Sequence, residues 1–385
     1  MDVNEMTNDN LFQPIIVEGK PTTSLPDNVA KIAVIGVGGG GCNMVNHMIH
    51  EGIHRIDLIV SNTDLQALRV SDAPMKIQLG AELTKGLGAG MKPDIGRESA
   101  RESYEKIKEA LAGSDIVFIA AGLGGGTGTG AAAVVAQAAK EIKALTVSVV
   151  TKPFKWEGKR RTALANIGLE ELKKYSDSII VIKNDRLKEI SDADVGMKDA
   201  FRMVDNILYQ AVNGMSEVIL KPGSSDINVD FADVKTIMQH RGMALMGIGK
   251  GKGENAAQDA IENAIKSPLL DEVSLESAKG IMIHWTFNKN LSLFSVTEIM
   301  ENINDTIDTN ADIIFGTTTD DSLAKDEVKI TIVATGFETQ PEDIDDEDQD
   351  SDKPNVQIKH DLSNDPNHYD VPPFMRGYAI KHTIK

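Results

Sequence analysis

Apolar positions between residues 31 and 183 fall into short runs separated by longer amphipathic segments. The runs predict strands at 31–35, 56–60, 75–79, 115–120, 145–150 and 178–182. The amphipathic segments predict helices at 42–51, 97–112, 129–143, 159–175 and 197–221. Short buried strands that alternate with helices indicate an α/β fold with a doubly wound parallel sheet. In such a sheet, ligands bind at the carboxyl ends of the strands.

The predicted helix at 197–221 is unusually long. Its apolar stripe repeats from Phe201 to Val218, and Lys221-Pro222-Gly223 ends it. About 23 helical residues span roughly 35 Å, more than one sheet layer needs. We therefore expect this central helix to pack against both halves of the chain.

The pattern changes after the central helix. Helices are predicted at 231–240, 255–266 and 295–309, and strands at 243–248, 280–287, 311–316 and 328–334. This order predicts a smaller α/β domain with a four-stranded sheet.

Two glycine-rich stretches each follow a predicted strand. Ala121–Gly130 holds six glycines and two threonines, and Gly36–Gly41 contains the spacing G-x-G-x-x-G. Backbone N–H groups without a neighbouring Cβ can close on a phosphate, and a helix N-terminus adds a positive field. A flexible linker is the alternative, but linkers are not flanked closely by a buried strand and a helix.

A single loop of this kind would indicate a dinucleotide fold, with Asp57 or Asp64 as the ribose ligand. Two loops at adjacent strand ends instead favour a triphosphate held from two sides. No Gly-Lys pair is followed by Ser or Thr, so a Walker A site is excluded. Charge neutralisation would then come from backbone N–H groups, a metal and Arg161.

Asp205 on the central helix is a candidate base reader, because a carboxylate accepts the N1–H and 2-amino donors of guanine. Asn184 could add a polar contact, and Phe201 could stack on the base or simply pack in the core. Asp230 and Asp233 lie at a predicted helix start. They either orient a water molecule and help to neutralise magnesium, or serve as an N-cap and a first-turn acid.

Composition narrows the function classes. The net charge of −18 disfavours nucleic acid and anionic membranes as general partners, although many acids are concentrated between 342 and 352. One cysteine, Cys42, allows no intrachain disulfide and indicates a reducing compartment. Residues 1–20 lack the apolar core of a secretory signal, and no apolar run approaches the ~20 residues of a membrane helix. We expect a cytoplasmic protein without direct membrane insertion.

The C-terminal region predicts a tether with a docking peptide. Residues 339–367 are acidic and poor in apolar side chains, which is typical of disorder. Val371, Phe374, Met375 and Tyr378 then recur at helical spacing, so this segment is expected to fold into a groove of a partner. Chance spacing in a disordered tail is the alternative.

Taken together, these motifs resemble the tubulin/FtsZ family, in particular the bacterial cell-division GTPases of its FtsZ branch. The resemblance covers about residues 30–337 and the terminal peptide. Its motifs are GGGTGTG at 124–130, the loop at 36–41, NTD at 62–64, GLGAG at 86–90, PFKWEGKRR at 153–161, NDR at 184–186 and NVDFADVKTIM at 228–238.

The resemblance implies a GTPase that polymerises head to tail, with GTP and Mg²⁺ held between two protomers at a mid-cell division ring. It implies that Asn228, Asp230 and Asp233 act on the nucleotide of the neighbouring protomer. Asp370–Arg376 looks like the family's peptide for membrane tethers and regulators such as FtsA. The residues implied to bind the nucleotide are Gly39, Gly40, Gly41, Cys42, Asn43, Asp64, Ala89, Gly90, Gly126, Thr127, Gly128, Glu157, Arg161, Asn184, Phe201 and Asp205. No protein ligand to the metal is assigned, because Mg²⁺ is expected mainly on phosphate oxygens and water.

The implied domains are a mobile extension (1–28), a GTP-binding domain (29–196), the central helix (197–221), an activation domain (222–338), a disordered linker (339–367) and a partner-binding peptide (368–385). Cys42 and Met91-Lys92 depart from the commoner family residues, so their roles stay open. Three other functions remain as alternatives: an NAD-dependent oxidoreductase, a scaffold that binds but does not hydrolyse nucleotide, and a filament for plasmid partition.

Overall fold

The computed structural model describes residues 30–53, 55–187, 196–220, 227, 229–240, 242–267, 270, 278–288 and 311–337. Several predicted features lie outside the described residues. They are the extension at 1–28, Asn228, the helix at 295–309, the segment at 339–367 and the peptide at 370–376.

Ten strands within the described ranges form one sheet. They are β1 (Ile32–Val37), β2 (Asp57–Asn62), β3 (Met75–Gln78), β4 (Ile116–Gly122), β5 (Leu145–Lys152), β6 (Ser178–Lys183), β7 (Gly242–Lys252), β8 (Gly280–Phe287), β9 (Asp312–Thr319) and β10 (Glu327–Phe337). Each coincides with a predicted strand to within a few residues, so the strand predictions are confirmed.

The helices cover both faces of this sheet. They are α1 (Gly38–His50), α2 (Leu65–Arg69), α3 (Ala81–Thr84), α4 (Pro93–Glu102), α5 (Tyr104–Leu111), α6 (Thr127–Glu141), α7 (Lys159–Lys173), α8 (Met197–Leu220), α9 (Phe231–Met238) and α10 (Ala256–Ile265). Short 3-10 turns occupy Lys155–Glu157 and Asn184–Arg186.

The strand order is β3-β2-β1-β4-β5-β6-β7-β10-β8-β9. The first six strands are parallel, which confirms the doubly wound arrangement. The predicted group of four strands, β7 to β10, is present but does not form a separate sheet. Ser178–Ile180 of β6 pair in parallel with Gly242–Ala244 of β7, and this short ladder makes the sheet continuous.

Alternating side chains of the strands supply two large cores. On one face, Phe118 and neighbouring strand residues pack against α1 and α8. On the other face, Ile119 and its neighbours pack against α5, α6 and α7. The first core also includes Met246, Met282 and Val333 of the last four strands, so α8 packs against both halves as predicted.

Helix starts differ most from the sequence-based bounds. Helix α1 begins at Gly38, not near residue 42, because the glycines themselves form its first turn. The single helix predicted at 97–112 is broken at Ser103 into α4 and α5. The Ser103 hydroxyl accepts a hydrogen bond from Gly80 N (3.2 Å) and donates one to the carbonyl of Gln78 (3.3 Å), so the break anchors the segment that follows β3.

Helices α4 and α6 approach so closely that Gly130 has no room for a side chain. A Cβ there would collide with the Pro93 carbonyl and lie 2.8 Å from Arg97 N. We expect Gly130→Ala to destabilise the protein by about 1–3 kcal/mol through overpacking, although alanine normally favours a helix. Urea unfolding of the purified protein would measure the loss.

Gly214→Ala in α8 is the matched control. The nearest atom to a Cβ at Gly214 is the flexible terminal methyl of Met246, at 2.7 Å, which can move aside. Its unfolding free energy should therefore equal or slightly exceed that of the parent. Equal losses for both variants would contradict the role assigned to the α4–α6 contact.

Candidate functional site

The two glycine-rich segments meet at the carboxyl edge of the neighbouring strands β1 and β4. Gly38 has a φ of +71°, and a Cβ on it would lie 2.7 Å from the backbone nitrogen of Gly128. A Cβ on Gly40 would lie 3.2 Å from Gly122 N. The backbones thus approach as closely as glycine permits, and the starts of α1 and α6 face a common space.

Neither helix start is capped by a side chain. Val37 precedes α1 and Gly126 precedes α6, and neither makes a side-chain cap hydrogen bond. The first N–H groups of a helix lack intrahelical acceptors, so two sets of donors converge here. Open space lies beyond Gly39 and Gly125, where a Cβ would meet no atom within 4 Å. Such a cradle is suited to the oxygens of an anion.

Threonine side chains hold the cradle together. The hydroxyls of Thr63 and Thr127 lie 2.7 Å apart, which ties the turn after β2 to the start of α6. Gly124 N donates to the Thr129 hydroxyl at 2.8 Å. Asp64 is the N-cap of α2, where its carboxylate accepts from Gln66 N at 2.8 Å. That carboxylate is therefore already engaged in capping a helix.

The segment between α3 and α4 forms one wall of the cradle. A Cβ on Gly126 would lie 2.9 Å from Ala89 Cβ and 3.1 Å from Lys92 N, so this segment rests against the second glycine loop. Gly90 is exposed beside it. Met91 adopts a left-handed conformation with a φ of +51°, which is unfavourable for a residue with a Cβ. The predicted residues Ala89 and Gly90 are thus brought to the cradle.

Cys42 points away from the cradle. Its side chain is 3% exposed, and its thiol lies 3.8 Å from the carbonyl of Ser61. Burial raises the pKa of the thiol to about 12, so it is not a reactive thiolate. Asn43, the next residue of α1, is exposed.

Glu157 and Arg161 form an ion pair that closes the turn after β5. The same carboxylate accepts from Phe154 N at 2.9 Å, and Lys155 N donates to Asp185 at 2.9 Å. The turns after β5 and β6 are therefore fastened together. This places Glu157, Arg161 and the neighbouring Asn184 along one edge.

Two polar groups beside these turns are shielded from solvent. Asn184 is 5% exposed, and its side-chain oxygen has no hydrogen-bond partner among the described residues. Asp205 is half-buried, and burial raises the pKa of its carboxyl from 3.8 to about 7. Phe201, one turn earlier on α8, is 40% exposed and therefore not a plain core residue. An unpaired buried oxygen and a desolvated carboxyl next to an exposed ring suit a planar ligand that carries N–H donors.

The paired acids lie in another part of the molecule. Helix α8 runs beside α1, with the rings of His47 and Tyr209 5.8 Å apart, and leads away from the glycine cradle for about 36 Å. Helix α9 then ends just before Gly242, which pairs with Ser178 at the amino edge of the parallel strands. The start of α9, which carries the acids, lies instead beside the edge strand β9, because Ile227 N donates to the Thr317 hydroxyl at 2.8 Å. Five strands separate β9 from β4, whereas the cradle lies at the carboxyl ends of β1 and β4.

Asp230 and Asp233 are both exposed. Asp230 is the N-cap of α9 and accepts from Asp233 N at 2.9 Å. The structural alternative considered for Asp230, an N-cap, is thus confirmed, and it leaves the second carboxylate oxygen available. Asn228 lies outside the described residues.

Comparisons with known proteins identify this arrangement. A family model described as "Tubulin/FtsZ family, GTPase domain" matches residues 31–192, and "FtsZ family, C-terminal domain" matches 242–338. The FtsZ dimer of M. jannaschii is 46% identical over 80% of this chain and 88% of its own, with a TM-score of 0.74. The chain belongs to the FtsZ family.

Two further solved structures are similar to this chain. A tryptophan-to-tyrosine mutant of M. jannaschii FtsZ is 46% identical over 80% of this chain and 92% of its own, with a TM-score of 0.74. CetZ2 from Haloferax volcanii, a protofilament with bound GTPγS, is 19% identical over 81% of this chain and 94% of its own. Its TM-score of 0.69 shows the shared fold alone. Membership of the FtsZ family makes this chain a GTP-binding GTPase of the polymerising, cytoskeletal type.

Family motifs predicted most of the candidate nucleotide-binding residues, but sequence reasoning did not assign a role to several residues that support them. Thr63 and Thr129 shape the cradle, and Phe154 and Asp185 shape the base side. The contacts of Thr63, Phe154 and Asp185 join distant parts of the sequence, whereas Thr129 bonds to nearby Gly124. The local signals for the threonines were the Asn-Thr-Asp motif at 62–64 and the repeated Gly-Thr pairs. Among the described residues, no group of three His, Cys, Asp or Glu side chains could hold a metal ion. No described helix has both the length and the apolarity of a membrane span.

The raised pKa of Asp205 carries a stability cost without nucleotide. The pKa of this carboxyl is higher in the folded than in the unfolded protein. Protonated Asp205 therefore contributes its full stability below about pH 4, and this contribution is lost as the pH rises to about 7 and the buried carboxyl ionises. Asp205→Asn removes this cost. Its gain in unfolding free energy should therefore be about 2 kcal/mol larger at pH 8 than at pH 5.5.

Urea unfolding of the nucleotide-free protein at both pH values would measure this difference. Asp199→Asn, at the exposed start of α8, is the control and should show almost no pH-dependent gain. An equal gain for Asp205→Asn at the two pH values would contradict a desolvated carboxyl at this position.

Proposed function

We propose that this protein is a cell-division GTPase that forms filaments and hydrolyses GTP at the contact between head-to-tail protomers. The observation that carries the proposal is the separation between the cradle and the paired acids. The carboxyl ends of β1 and β4 would bind the nucleotide, and the acids beside the distant strand β9 would act on a nucleotide held by the next protomer. Stacking of protomers brings the two edges together, and such a heterologous contact generates an open filament.

The phosphates would lie in the cradle. Gly39, Gly40 and Gly41 would contact them from the start of α1, and Gly126, Thr127 and Gly128 from the start of α6. Open space beyond Gly39 and Gly125 and the uncapped helix starts support this assignment. Ala89 and Gly90 would approach the terminal phosphate. Cys42, Asn43 and Asp64 remain predicted neighbours, of which Asn43 has the exposed side chain.

Glu157 and Arg161 would contact the ribose and the phosphates of the nucleotide. The base would stack on Phe201 and lie between Asn184 and Asp205. A carboxylate has only acceptors, so ionised Asp205 matches the adjacent N1–H and 2-amino donors of guanine. The unpartnered oxygen of Asn184 supplies a further acceptor. Adenine lacks this donor pair and would leave the buried carboxylate unpaired, which costs about 1–3 kcal/mol.

Mg²⁺ is expected on the phosphate oxygens, where it would neutralise charge that develops on the transferred phosphoryl group. Asp230 and Asp233 of the next protomer would orient the attacking water from the other side. Asn228 is proposed to assist them. The catalytic contribution is positioning and electrostatics, without a covalent intermediate.

The cellular role rests on the family. We propose a cytoplasmic protein of the mid-cell division ring, with Asp370–Arg376 as a docking peptide for tethers and regulators such as FtsA. A bacterial source is predicted by the resemblance. Plasmid partition is the second candidate role. The GTPase family model does not favour an NAD-dependent oxidoreductase.

A shared site predicts that two defective variants restore each other. Asp233→Ala should bind GTP but not hydrolyse it, and Asp205→Asn should stay largely empty at limiting GTP. In a mixture, the acids of an Asp205→Asn chain can act on GTP held by an Asp233→Ala chain. Random mixing should recover about one quarter of the parental turnover. Phosphate release, with sedimentation to verify co-assembly, is the measurement.

Asp233→Ala mixed with the double variant Asp205→Asn/Asp233→Ala is the control, because no acid pair remains in that mixture. Asp230→Ser separates catalysis from folding, since serine preserves an N-cap acceptor but removes the carboxylate. Turnover that stays absent from a co-assembled complementary mixture would rule out the shared site.

Guanine binding should depend on pH through Asp205. In the protein without nucleotide, the Asp205 carboxyl has a pKa of about 7, and it must be ionised to accept hydrogen bonds from the base. Its requirement for ionisation should weaken GDP binding roughly tenfold from pH 8 to pH 6. Calorimetric titration with GDP would measure this change. Asp205→Asn should bind weakly and lack this component, and a parental pH profile in that variant would contradict the assignment.

A further inference from the structure

Three aromatic rings form a continuous row beside the base-reading residues. Phe154 lies at the centre and is 4% exposed. The ring centroid of Trp156 lies 5.5 Å from it, with an interplanar angle of 19°, so these two rings stack. The centroid of Phe201 lies 5.8 Å from it at 83°, which is an edge-to-face contact. The central ring is therefore held between two partners.

The backbone that carries Phe154 is fixed on both sides. Phe154 N donates to the Glu157 carboxylate, and Glu157 N donates to the Phe154 carbonyl, each at 2.9 Å. Lys155 N donates to Asp185 on the neighbouring turn at 2.9 Å. The Phe154 side chain also belongs to the core that includes α8. The Phe154 ring is consequently held in a fixed position and can orient the side chains that it contacts.

Phe201 has no comparable hydrogen-bonded support among the residues that the structure describes. It lies in the second turn of α8, is 40% exposed and meets Phe154 through the edge-to-face contact. A base can stack well only on a ring whose plane is fixed, because each freedom left in the ring must be lost on binding. Two aromatic rings in edge-to-face contact have a preferred mutual orientation, so this contact fixes the plane of Phe201 more strongly than contact with an aliphatic side chain would.

We propose that Phe154 is a positioning residue for guanine recognition: it sets the plane of Phe201, and Trp156 supports Phe154 from the opposite side. The inference rests on the proposed function, because it takes the base to lie on Phe201. Ordinary core packing does not account for Trp156, since its indole stays 56% exposed while it stacks on Phe154.

A double-mutant cycle on GDP affinity tests the proposal. Phe154→Leu retains an apolar side chain but loses the edge-to-face contact, and should weaken GDP binding about 3- to 10-fold. Phe201→Leu should weaken it at least as much, since it removes the stacking surface. If Phe154 acts through Phe201, the double variant should bind GDP within about twofold of Phe201→Leu alone.

Phe337→Leu is the matched control, because Phe337 is similarly buried but belongs to the core around the last four strands. It should leave GDP affinity unchanged. In steady-state GTP turnover, Phe154→Leu should raise KM while kcat at saturating GTP stays at the parental value. A fall in kcat with unchanged KM would overturn the positioning role.

Variants of Trp156 provide a second test that does not disturb the core. Trp156→Phe preserves a stacking ring and should bind GDP as the parent does, whereas Trp156→Ala should bind about 2- to 5-fold more weakly. Equal affinities for these two variants would overturn the supporting role of the indole.

The outcomes separate this inference from the proposed function. The positioning role would be overturned if the losses of GDP affinity in the two single variants multiplied in the double variant, or if Phe154→Leu bound GDP with parental affinity. Either result would leave guanine binding itself intact. Parental affinity in Phe201→Leu would overturn the base contact itself. Absence of GDP binding to the parent protein would overturn the proposed function as a whole.

Discussion

The close approach of two glycine-rich helix starts is the constraint on which the site depends. Gly38 and Gly128 follow neighbouring parallel strands, and their backbones approach so closely that a side chain at Gly38 would separate them. Because both helices begin there without side-chain caps, two sets of unpaired N–H groups converge. The surrounding turns are ordered around this point: Thr63 contacts it through Thr127, and Ala89 rests on Gly126.

Helix α8 links this edge to the rest of the molecule. Its first turns carry Phe201 and Asp205, and near its end Glu217 pairs with Lys329 of β10 at 2.9 Å. Because its apolar stripe belongs to a core shared with both groups of strands, the helix holds the base-reading side chains at a fixed distance from the last four strands. The same length keeps the paired acids away from the cradle, and this separation supports the proposed division of binding and hydrolysis between protomers.

Local patterning was sufficient for the strands and for most helices, because alternating burial leaves a clear period in the sequence. It failed where long-range contacts override propensity. Glycines 38–41 form a helical turn since the strand before them and α6 beside them fix the backbone. Ser103 breaks a predicted helix because its hydroxyl bonds to Gly80 and Gln78. The short β6–β7 ladder that unites the sheet has no signature in either strand.

Site residues were predicted through motifs, and the structure separates them by how well they are satisfied. The thiol of Cys42 is buried and contacts the carbonyl of Ser61, and Asp64 and Asp230 each cap a helix. Within the described ranges, Asn184 has a buried side-chain oxygen without a partner and the two helix starts have no side-chain cap, while burial raises the pKa of the Asp205 carboxyl.

These unsatisfied groups lie along one edge, and each matches a different part of a guanine nucleotide: N–H groups for phosphate, acceptors for the base. Leaving them unpaired costs stability in the free protein. A ligand that pairs all of them would recover that cost on binding, which supports the proposed selectivity of this edge for a nucleotide that presents phosphates and guanine donors together. The exposed acids at the start of α9 are not buried in this way, and the role proposed for them requires the nucleotide of a neighbouring protomer.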